Sequence, residues 1–190
     1  MTENSSMRDL AYIAVFTALI IVLGFISIPT PISVPIVLQN GAIIITGIIL
    51  GPRRGFLAVA LFLLIALLGA PVLAGGRSLI VALQSITVGY LIAYPIAAVV
   101  AGLIAYSAKR NTTSRFITFA IASVVGLAIQ YILGAIGMAY RGAMSTSDAF
   151  YAQLGFILPD LPEIIAGIFI AVSVHSAFPH LMRRSHKTNA

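Results

Sequence analysis

Long hydrophobic stretches alternate with short polar gaps along this chain of 190 residues. A helix needs about 20 apolar residues to cross the hydrocarbon core of a bilayer. Six stretches approach or exceed that length: residues 10–28, 36–50, 56–68, 78–108, 116–140 and 159–182. The sequence shows no alternating strands of the kind that build a membrane β-barrel. The pattern predicts an all-α membrane protein, with six transmembrane helices in a single integral membrane domain over residues 1–190.

The predicted spans differ in length, and the differences indicate a cavity. Residues 36–50 and 56–68 are short for a full crossing, and a tight Gly-Pro turn separates them. Backbone at membrane depth is tolerated only where it is buried in protein or lines a cavity. The apolar, glycine-rich loop at 69–77 is therefore a candidate ligand site. Span four, residues 78–108, is too long for one perpendicular crossing, so we expect it to tilt, to kink at Pro95 or to project from the bilayer.

The positive charges lie in the gaps between spans and favour one side of the membrane. Hydrophobic residues make up 60% of the chain and charged residues only 8%. Basic loops face the cytoplasm, so both termini are predicted to be cytoplasmic and the loop at 69–77 extracellular. The net charge of +6 then belongs to loops that face anionic lipid, and it predicts no nucleic-acid partner. The cytoplasmic side holds Arg8, Arg53, Arg54, Lys109, Arg110, Arg115, Arg183, Arg184 and Lys187, and the other side holds Arg77 and Arg141.

The sequence lacks the common motifs of catalysis and of nucleotide hydrolysis. It contains no phosphate-binding Gly-x-x-x-x-Gly-Lys loop, no Gly-x-Ser-x-Gly and no His-Glu-x-x-His. It has no cysteine, and no histidine has a second ligand at metal-binding spacing. We therefore predict neither an enzyme nor a bound metal or other cofactor. Polar residues gather at the outer end, which favours the capture of an external ligand over a continuous pore.

Asp160 and Glu163 begin the last predicted span and allow two interpretations. Ionisable groups at a membrane boundary are costly, which makes them candidates for function. Alternatively, Asp160 is the N-cap of a helix, and Glu163 in the first turn complements the helix dipole. The two interpretations are compatible, because a capped helix end can present a carboxylate to a cavity.

Other polar and glycine residues leave a similar choice. Gln39 and Asn40, near the outer end of span two, either bind a ligand or hydrogen-bond a neighbouring helix. Gly75 and Gly76 either form a turn or let the backbone approach a ligand closely. Most of the tyrosines in and near the spans are expected to form an interfacial aromatic belt. These tyrosines are Tyr90, Tyr94, Tyr131, Tyr140 and Tyr151.

Ala14 and Ala18 lie one helical turn apart on the first span. Small residues at this spacing allow two membrane helices to approach closely. Packing inside the bundle is one interpretation of this face, and docking against another subunit is the other.

Several motifs in a fixed order together resemble one known family. They are Pro-x-x-Leu-Gln at 35–39, Leu-Gly-Pro-Arg-x-Gly at 50–55, Gly-x-Pro-Val-x-Ala-Gly-Gly at 69–76, Gly-Tyr-Leu at 89–91 with Pro95 behind it, and Leu-Pro-Asp-Leu at 158–161. The set resembles the BioY family, the biotin-binding S components of energy-coupling factor (ECF) transporters. This resemblance implies a six-helix, S-component-like bundle that binds biotin from outside.

The resemblance also implies partners and site residues. A transmembrane coupling protein and two ATP-binding subunits would energise transport across the plasma membrane of a prokaryote. Ala14 and Ala18 would then meet the coupling protein. The implied binding residues are Gln39, Leu73, Ala74, Gly75, Gly76, Arg77, Gly89, Tyr90, Asp160 and Glu163.

One position departs from the family pattern. Members commonly carry Asp-x-x-Lys where this chain reads Asp160-Leu161-Pro162-Glu163, so an acid replaces a base. Arg77 is the nearest outer cation and is expected to compensate. The alternatives to a biotin S component are an S component for another vitamin, and a passive facilitator or structural membrane subunit.

Overall fold

The computed structural model describes residues 3–28, 36–109, 111–141 and 144–182. Five of its helices are long and apolar enough to cross a membrane, by length and composition. The described residues also form one small antiparallel sheet of two strands. In chain order the elements are α1 (Glu3–Gly24), β1 (Ser27–Ile28), β2 (Ile36–Val37), α2 (Gln39–Leu67), α3 (Leu79–Gln84), α4 (Val88–Ala105), α5 (Thr112–Tyr140), α6 (Thr146–Ala177) and a 3₁₀ helix (Pro179–Met182).

Helix α2 folds back on itself at Gly51. This residue has φ 82° and ψ 174°, a left-handed conformation that glycine adopts without steric cost, and Pro52 follows it. A Cβ placed on Gly55 would lie 2.9 Å from the Cα of Gly47, whereas residues eight apart in a straight helix are about 12 Å apart. The two arms, 39–50 and 52–67, are the predicted second and third spans with their tight turn. With α2 counted as two arms, the prediction of six membrane helices is confirmed.

Helix α4 lies at the centre of the bundle and packs closely against two neighbours. On one side, a Cβ on Gly102 would lie 2.6 Å from the nitrogen of Pro52 in α2. On the other side, a Cβ on Gly137 of α5 would lie 2.7 Å from the Cα of Gly89. Glycine at these contacts lets helix backbones approach to a distance that any side chain would prevent.

The outer surface of the bundle is apolar. Large side chains point outward from every long helix, including Val15 (63% exposed), Val124 (65%) and Phe169 (58%). A soluble protein rarely exposes so much contiguous apolar surface. This surface fits a protein whose solvent is lipid.

Two predicted boundaries were wrong. The stretch predicted as span four is not one helix, because the chain leaves helical geometry between α3 and α4 and not at Pro95, which lies inside α4. The last helix begins at Thr146, so residues that were predicted to precede the last span are helical. Its N-cap is Ser145, whose side chain accepts a hydrogen bond from the amide of Asp148. Asp160 therefore lies inside α6 and is not an N-cap.

Some sequence features lie outside the described residues. These are the proline-rich segment at 29–35, Arg110, and the basic tail with Arg183, Arg184 and Lys187. On either side of the proline-rich segment, β1 pairs with β2 in the register Ser27↔Val37 and Ile28↔Ile36. This pairing holds the end of α1 beside the start of α2.

Candidate functional site

A cavity lies where the first turn of α2, the loop before α3 and the first half of α4 meet. Its volume is about 430 Å³, including the part that is open to solvent. Most of its wall is apolar or aromatic, with a few polar groups among them. The lining residues are Val37, Gln39, Asn40, Leu73, Ala74, Arg77, Ala82, Thr87, Tyr90, Leu91, Tyr94 and Phe156.

The loop at 69–77 supplies three of these residues through a tight turn. The amide of Leu73 donates to the carbonyl of Arg77 at 3.0 Å, and the amide of Arg77 donates back at 3.2 Å. Gly75 and Gly76 close the turn with φ values of 73° and 72°, which favour glycine. Both glycines are exposed, while Leu73 and Ala74 are buried against the cavity.

Gln39 connects the cavity to the rest of the bundle. It is fully buried, and its Nε2 donates to the carbonyls of Ile20 in α1 and Val72 in the loop, both at 3.1 Å. Gly24 lies so close to this amide that a side chain there would collide with it. One side chain therefore joins α1, the loop and the first turn of α2.

The hydroxyl groups of the wall are engaged with protein partners. Tyr90 donates to Oε1 of Gln153 in α6. Tyr94 donates to Oδ1 of Asn40 at 3.2 Å. The Thr87 hydroxyl lies 2.6 Å from that of Ser85. These bonds leave few polar groups in the wall available to a ligand.

Two of the acids of α6, Asp160 and Glu163, lie behind the cavity wall and have different surroundings. Asp160 is 2% exposed and accepts a hydrogen bond from the Tyr131 hydroxyl at 2.7 Å. It lies one helical turn beyond Phe156, which does line the cavity. The Glu163 carboxyl lies against the backbone of Gly41 and Ala42, at the first turn of α2. The positive end of the helix dipole and the amide of Gly41 face this carboxyl group.

The structure brings together half of the residues implied by the sequence and separates the others. Gln39, Leu73, Ala74, Arg77 and Tyr90 all line the cavity. Of the remainder, the turn glycines face outward, the two acids lie behind the wall, and Gly89 packs against α5 at Leu133 and Gly134. Ala14 and Ala18 are exposed on α1, away from the cavity.

Several wall residues were not selected from the sequence. Tyr94 and Thr87 lie one turn on either side of Tyr90 in or next to α4, so helical spacing from Tyr90 could have found them. Phe156 lies before the predicted start of the last span at residue 159, and only the true start of α6 places it on the helix, one turn before Asp160. Val37 and Ala82 carry no signal beyond being apolar.

Comparison with known proteins identifies the family. The family model described as the BioY family matches residues 1–180. The chain belongs to the BioY family. The resemblance carried by the ordered motifs of the sequence is thereby confirmed.

Curated BioY relatives align over nearly the whole chain. The "Probable biotin transporter BioY" of Bacillus subtilis (strain 168) is 35% identical over 172 residues, which cover 89% of this chain and 91% of the relative. The "Biotin transporter BioY" of Lactococcus lactis subsp. cremoris (strain MG1363) is 34% identical over 173 residues, covering 90% and 92%. The alignments therefore include every element of the cavity.

A solved structure is similar to this chain. It is the crystal structure of the S-component for biotin from an ECF-type ABC transporter, with a TM-score of 0.84 and 30% identity. The match covers 96% of this chain and 100% of the other. The S-component-like helical bundle is thus confirmed.

Proposed function

We propose that this protein is the biotin-capturing S component of an ECF-type uptake transporter. The observation that carries the proposal is the structural match to an S-component for biotin over 96% of the chain. The relatives named as biotin transporters support it independently. An S component for another vitamin, a passive facilitator or a structural subunit has no comparable support.

The cavity suits the chemistry of biotin. The vitamin combines a cyclic urea, an apolar sulfur-containing ring, an apolar tail and a carboxylate. Ligand sites of this kind are mostly apolar, with a few fixed polar groups that set the orientation. Leu73, Ala82, Leu91 and Phe156 provide apolar wall for the ring and tail.

Arg77 is the residue proposed to meet the biotin carboxylate. It is the cation among the lining residues. Its Nε donates to the carbonyl of Ala74 at 3.0 Å, which fixes the guanidinium plane and leaves the terminal nitrogens for a bidentate contact. Glu163, at the position where the motif resemblance implies a lysine, lies against the first turn of α2 and supplies no positive charge.

Transport itself requires partners. The ECF-type ABC assembly of the solved relative supports a transmembrane coupling protein and ATP-binding subunits as partners of this chain. The exposed Ala14 and Ala18 on α1 are the proposed contact with the coupling protein.

The proposed setting is the plasma membrane of a prokaryote, with both termini in the cytoplasm. This orientation rests on the charge distribution. In a cysteine-free chain, Ser78→Cys and Thr112→Cys should react with an impermeant thiol reagent from opposite sides. Labelling from the same side would contradict the orientation.

The function is tested by thermal unfolding of the purified protein with a panel of water-soluble vitamins. Biotin should raise the apparent melting temperature by mass action, and the other vitamins should not. Arg77→Gln should weaken biotin about tenfold, as expected for the loss of a charged hydrogen bond. Arg53→Gln is the matched control, because Arg53 is exposed at the turn of α2, far along the arm from the cavity. Stabilisation by another vitamin alone would contradict the proposal.

A further inference from the structure

The polar groups of the cavity wall differ in whether their donors are already engaged. The hydroxyls of Tyr90, Tyr94 and Thr87 bond to protein groups. Both amide hydrogens of Gln39 are directed at backbone carbonyls. Within the described part of the wall, the side-chain donors left for a ligand are the terminal nitrogens of Arg77 and the Nδ2 group of Asn40.

Asn40 is buried and held in one orientation. It is 6% exposed and lies in the first turn of α2. Its Oδ1 accepts from the Tyr94 hydroxyl at 3.2 Å, and its backbone carbonyl accepts from Nε2 of Gln130 at 3.1 Å. No described residue accepts a hydrogen bond from its Nδ2. Because Asn40 lines the cavity, an amide donor without a protein partner there is suited to a ligand acceptor.

We propose that Asn40 determines specificity for the neutral head of the ligand, by donating from Nδ2 to the carbonyl oxygen of a cyclic urea. Tyr94 is a positioning residue, because its hydroxyl holds Oδ1 and so turns Nδ2 toward the ligand. The inference rests on the proposed function and adds that different residues bind the two ends of the ligand. Arg77 takes the charged end of the ligand, and Asn40 recognises the neutral end.

This assignment predicts discrimination between ligands of nearly equal shape. A site with a fixed donor accepts a carbonyl and disfavours a ligand that presents a donor at the same place, because two donors then face each other. In 2-iminobiotin a nitrogen that carries hydrogen replaces the urea oxygen of biotin. Desthiobiotin keeps the urea and lacks the sulfur. Wild-type protein should bind biotin and desthiobiotin, and should bind 2-iminobiotin at least about tenfold more weakly than biotin.

The decisive experiment measures the affinity of purified full-length variants for these three probes. Asn40→Asp keeps the shape but replaces the donor by an acceptor. It should weaken biotin about tenfold, strengthen 2-iminobiotin relative to biotin, and shift their affinity ratio about a hundredfold. Tyr94→Phe should reduce the discrimination while the protein stays folded. Thr46→Val is the matched control, because Thr46 is buried in the same arm and bonds only to the carbonyl of Ala42.

The outcomes separate this inference from the proposed function. If Asn40→Asp does not fold, Asn40→Ala provides the test, since it should weaken biotin and leave 2-iminobiotin unchanged. Wild-type discrimination that persists in both Asn40 variants would overturn the inference and leave biotin binding intact. A wild type that prefers 2-iminobiotin would overturn it as well. A wild type that binds none of the three probes would instead overturn the proposed function.

Discussion

The first arm of α2, residues 39–50, lacks some helical hydrogen bonds at both ends. One end is the first turn, residues 39–42, and the other is the break at Gly51. At the break, Pro52 has no N–H for the carbonyl of Ile48, and the left-handed Gly51 takes the following amides out of reach of Ile49. Two side chains replace the missing donors. Nε2 of His175 lies 3.1 Å from the Ile48 carbonyl. The Tyr106 hydroxyl lies 3.0 Å from the carbonyls of both Ile49 and Leu181, which share its one hydrogen.

The break is closed by aromatic packing. His175 and Tyr106 meet edge to face with ring centres 5.9 Å apart, and Phe119 packs on the other side of His175 at 5.3 Å. Burial raises the pKa of Tyr106 to about 12, so its hydroxyl keeps its proton at neutral pH and remains a donor. Because a carbonyl can only accept, Nε2 of His175 must also carry hydrogen.

The first turn is satisfied only in part. Leu38 at its N-cap makes no side-chain cap, and Glu163 of α6 lies against the amides of Gly41 and Ala42 instead. Asn40 in the same turn keeps an unengaged donor that faces the cavity. At the turn end, side chains of the bundle satisfy the freed carbonyls, whereas the cavity end keeps a side-chain donor that we propose serves the ligand.

The largest expected effect is the loss of stability on crowding the break. Gly102→Ala would put a methyl group 2.6 Å from the nitrogen of Pro52 and 2.8 Å from the carbonyl carbon of Gly51. These are backbone atoms that cannot swing aside, so the free energy of unfolding should fall by about 3 kcal/mol. Unfolding of the purified protein in a denaturing detergent series measures the change.

Gly155→Ala is the matched control for this substitution. A Cβ at Gly155 of α6 would meet nothing within 4 Å, and alanine is the better helix former by about 1 kcal/mol. Its stability should be equal to or above that of wild type. Equal stabilities of the Gly102 and Gly155 variants would show that the break tolerates displacement.

The second effect is the removal of a replacement donor. His175→Phe keeps an aromatic ring between Tyr106 and Phe119 but leaves the Ile48 carbonyl without a partner. The free energy of unfolding should fall by about 2 kcal/mol, while biotin affinity of the folded protein stays unchanged. Ser173→Ala, an exposed change on the same helix, should alter neither quantity. A large loss of affinity in His175→Phe would mean that the two ends are not independent.

The overall fold was accessible from the sequence because membrane helices follow from composition. The lengths of the hydrophobic stretches and the Gly-Pro turn were enough to predict six membrane helices, including the reversal of α2 at Gly51. The predicted helix boundaries were wrong where contacts between helices outweigh the local sequence pattern. The chain leaves helical geometry between Gln84 and Val88 with no proline there, and α6 stays helical through Pro159 and Pro162.

The site was accessible only in outline, because polarity reveals candidates but not their partners. Gln39 and Arg77 were selected as the sparse polar residues of an apolar region, and both line the cavity. The role of Glu163 was not predictable, since α2 and α6 meet only in three dimensions. Gly89 looked like part of a site, but its lack of a side chain serves contact with α5.

The third prediction contrasts Asp160 and Glu163 of α6. Asp160 lies behind the wall, one turn beyond the lining residue Phe156, and we expect its carboxylate to reach a ligand N–H past that residue. Asp160→Asn should then weaken biotin by about 1.5 kcal/mol, because a neutral amide is a poorer partner than a carboxylate for a ligand N–H. Its stability without ligand should change less. Glu163→Gln should do the reverse, lowering the free energy of unfolding by at most about 1 kcal/mol, because glutamine keeps an acceptor at the start of α2 but cannot carry a negative charge there. Titration calorimetry and detergent unfolding measure both quantities. Asp160→Asn with unchanged affinity would restrict Asp160 to its bond with Tyr131.

The smallest effect on the isolated protein is expected from substitutions on α1, away from both ends of the first arm of α2. Ala14 and Ala18 are exposed on α1, so Ala14→Trp with Ala18→Trp should shift stability by less than about 0.5 kcal/mol and leave biotin affinity near wild type. In a bilayer, added bulk costs little where lipid is the neighbour and much where another helix must dock. Uptake of labelled biotin with the energising subunits present should therefore be lost.

Val124→Trp with Ala128→Trp, at the same spacing on the exposed face of α5, should retain uptake. If the α1 pair retains uptake too, the coupling protein docks elsewhere. If it loses biotin binding in isolation, this face packs inside the bundle.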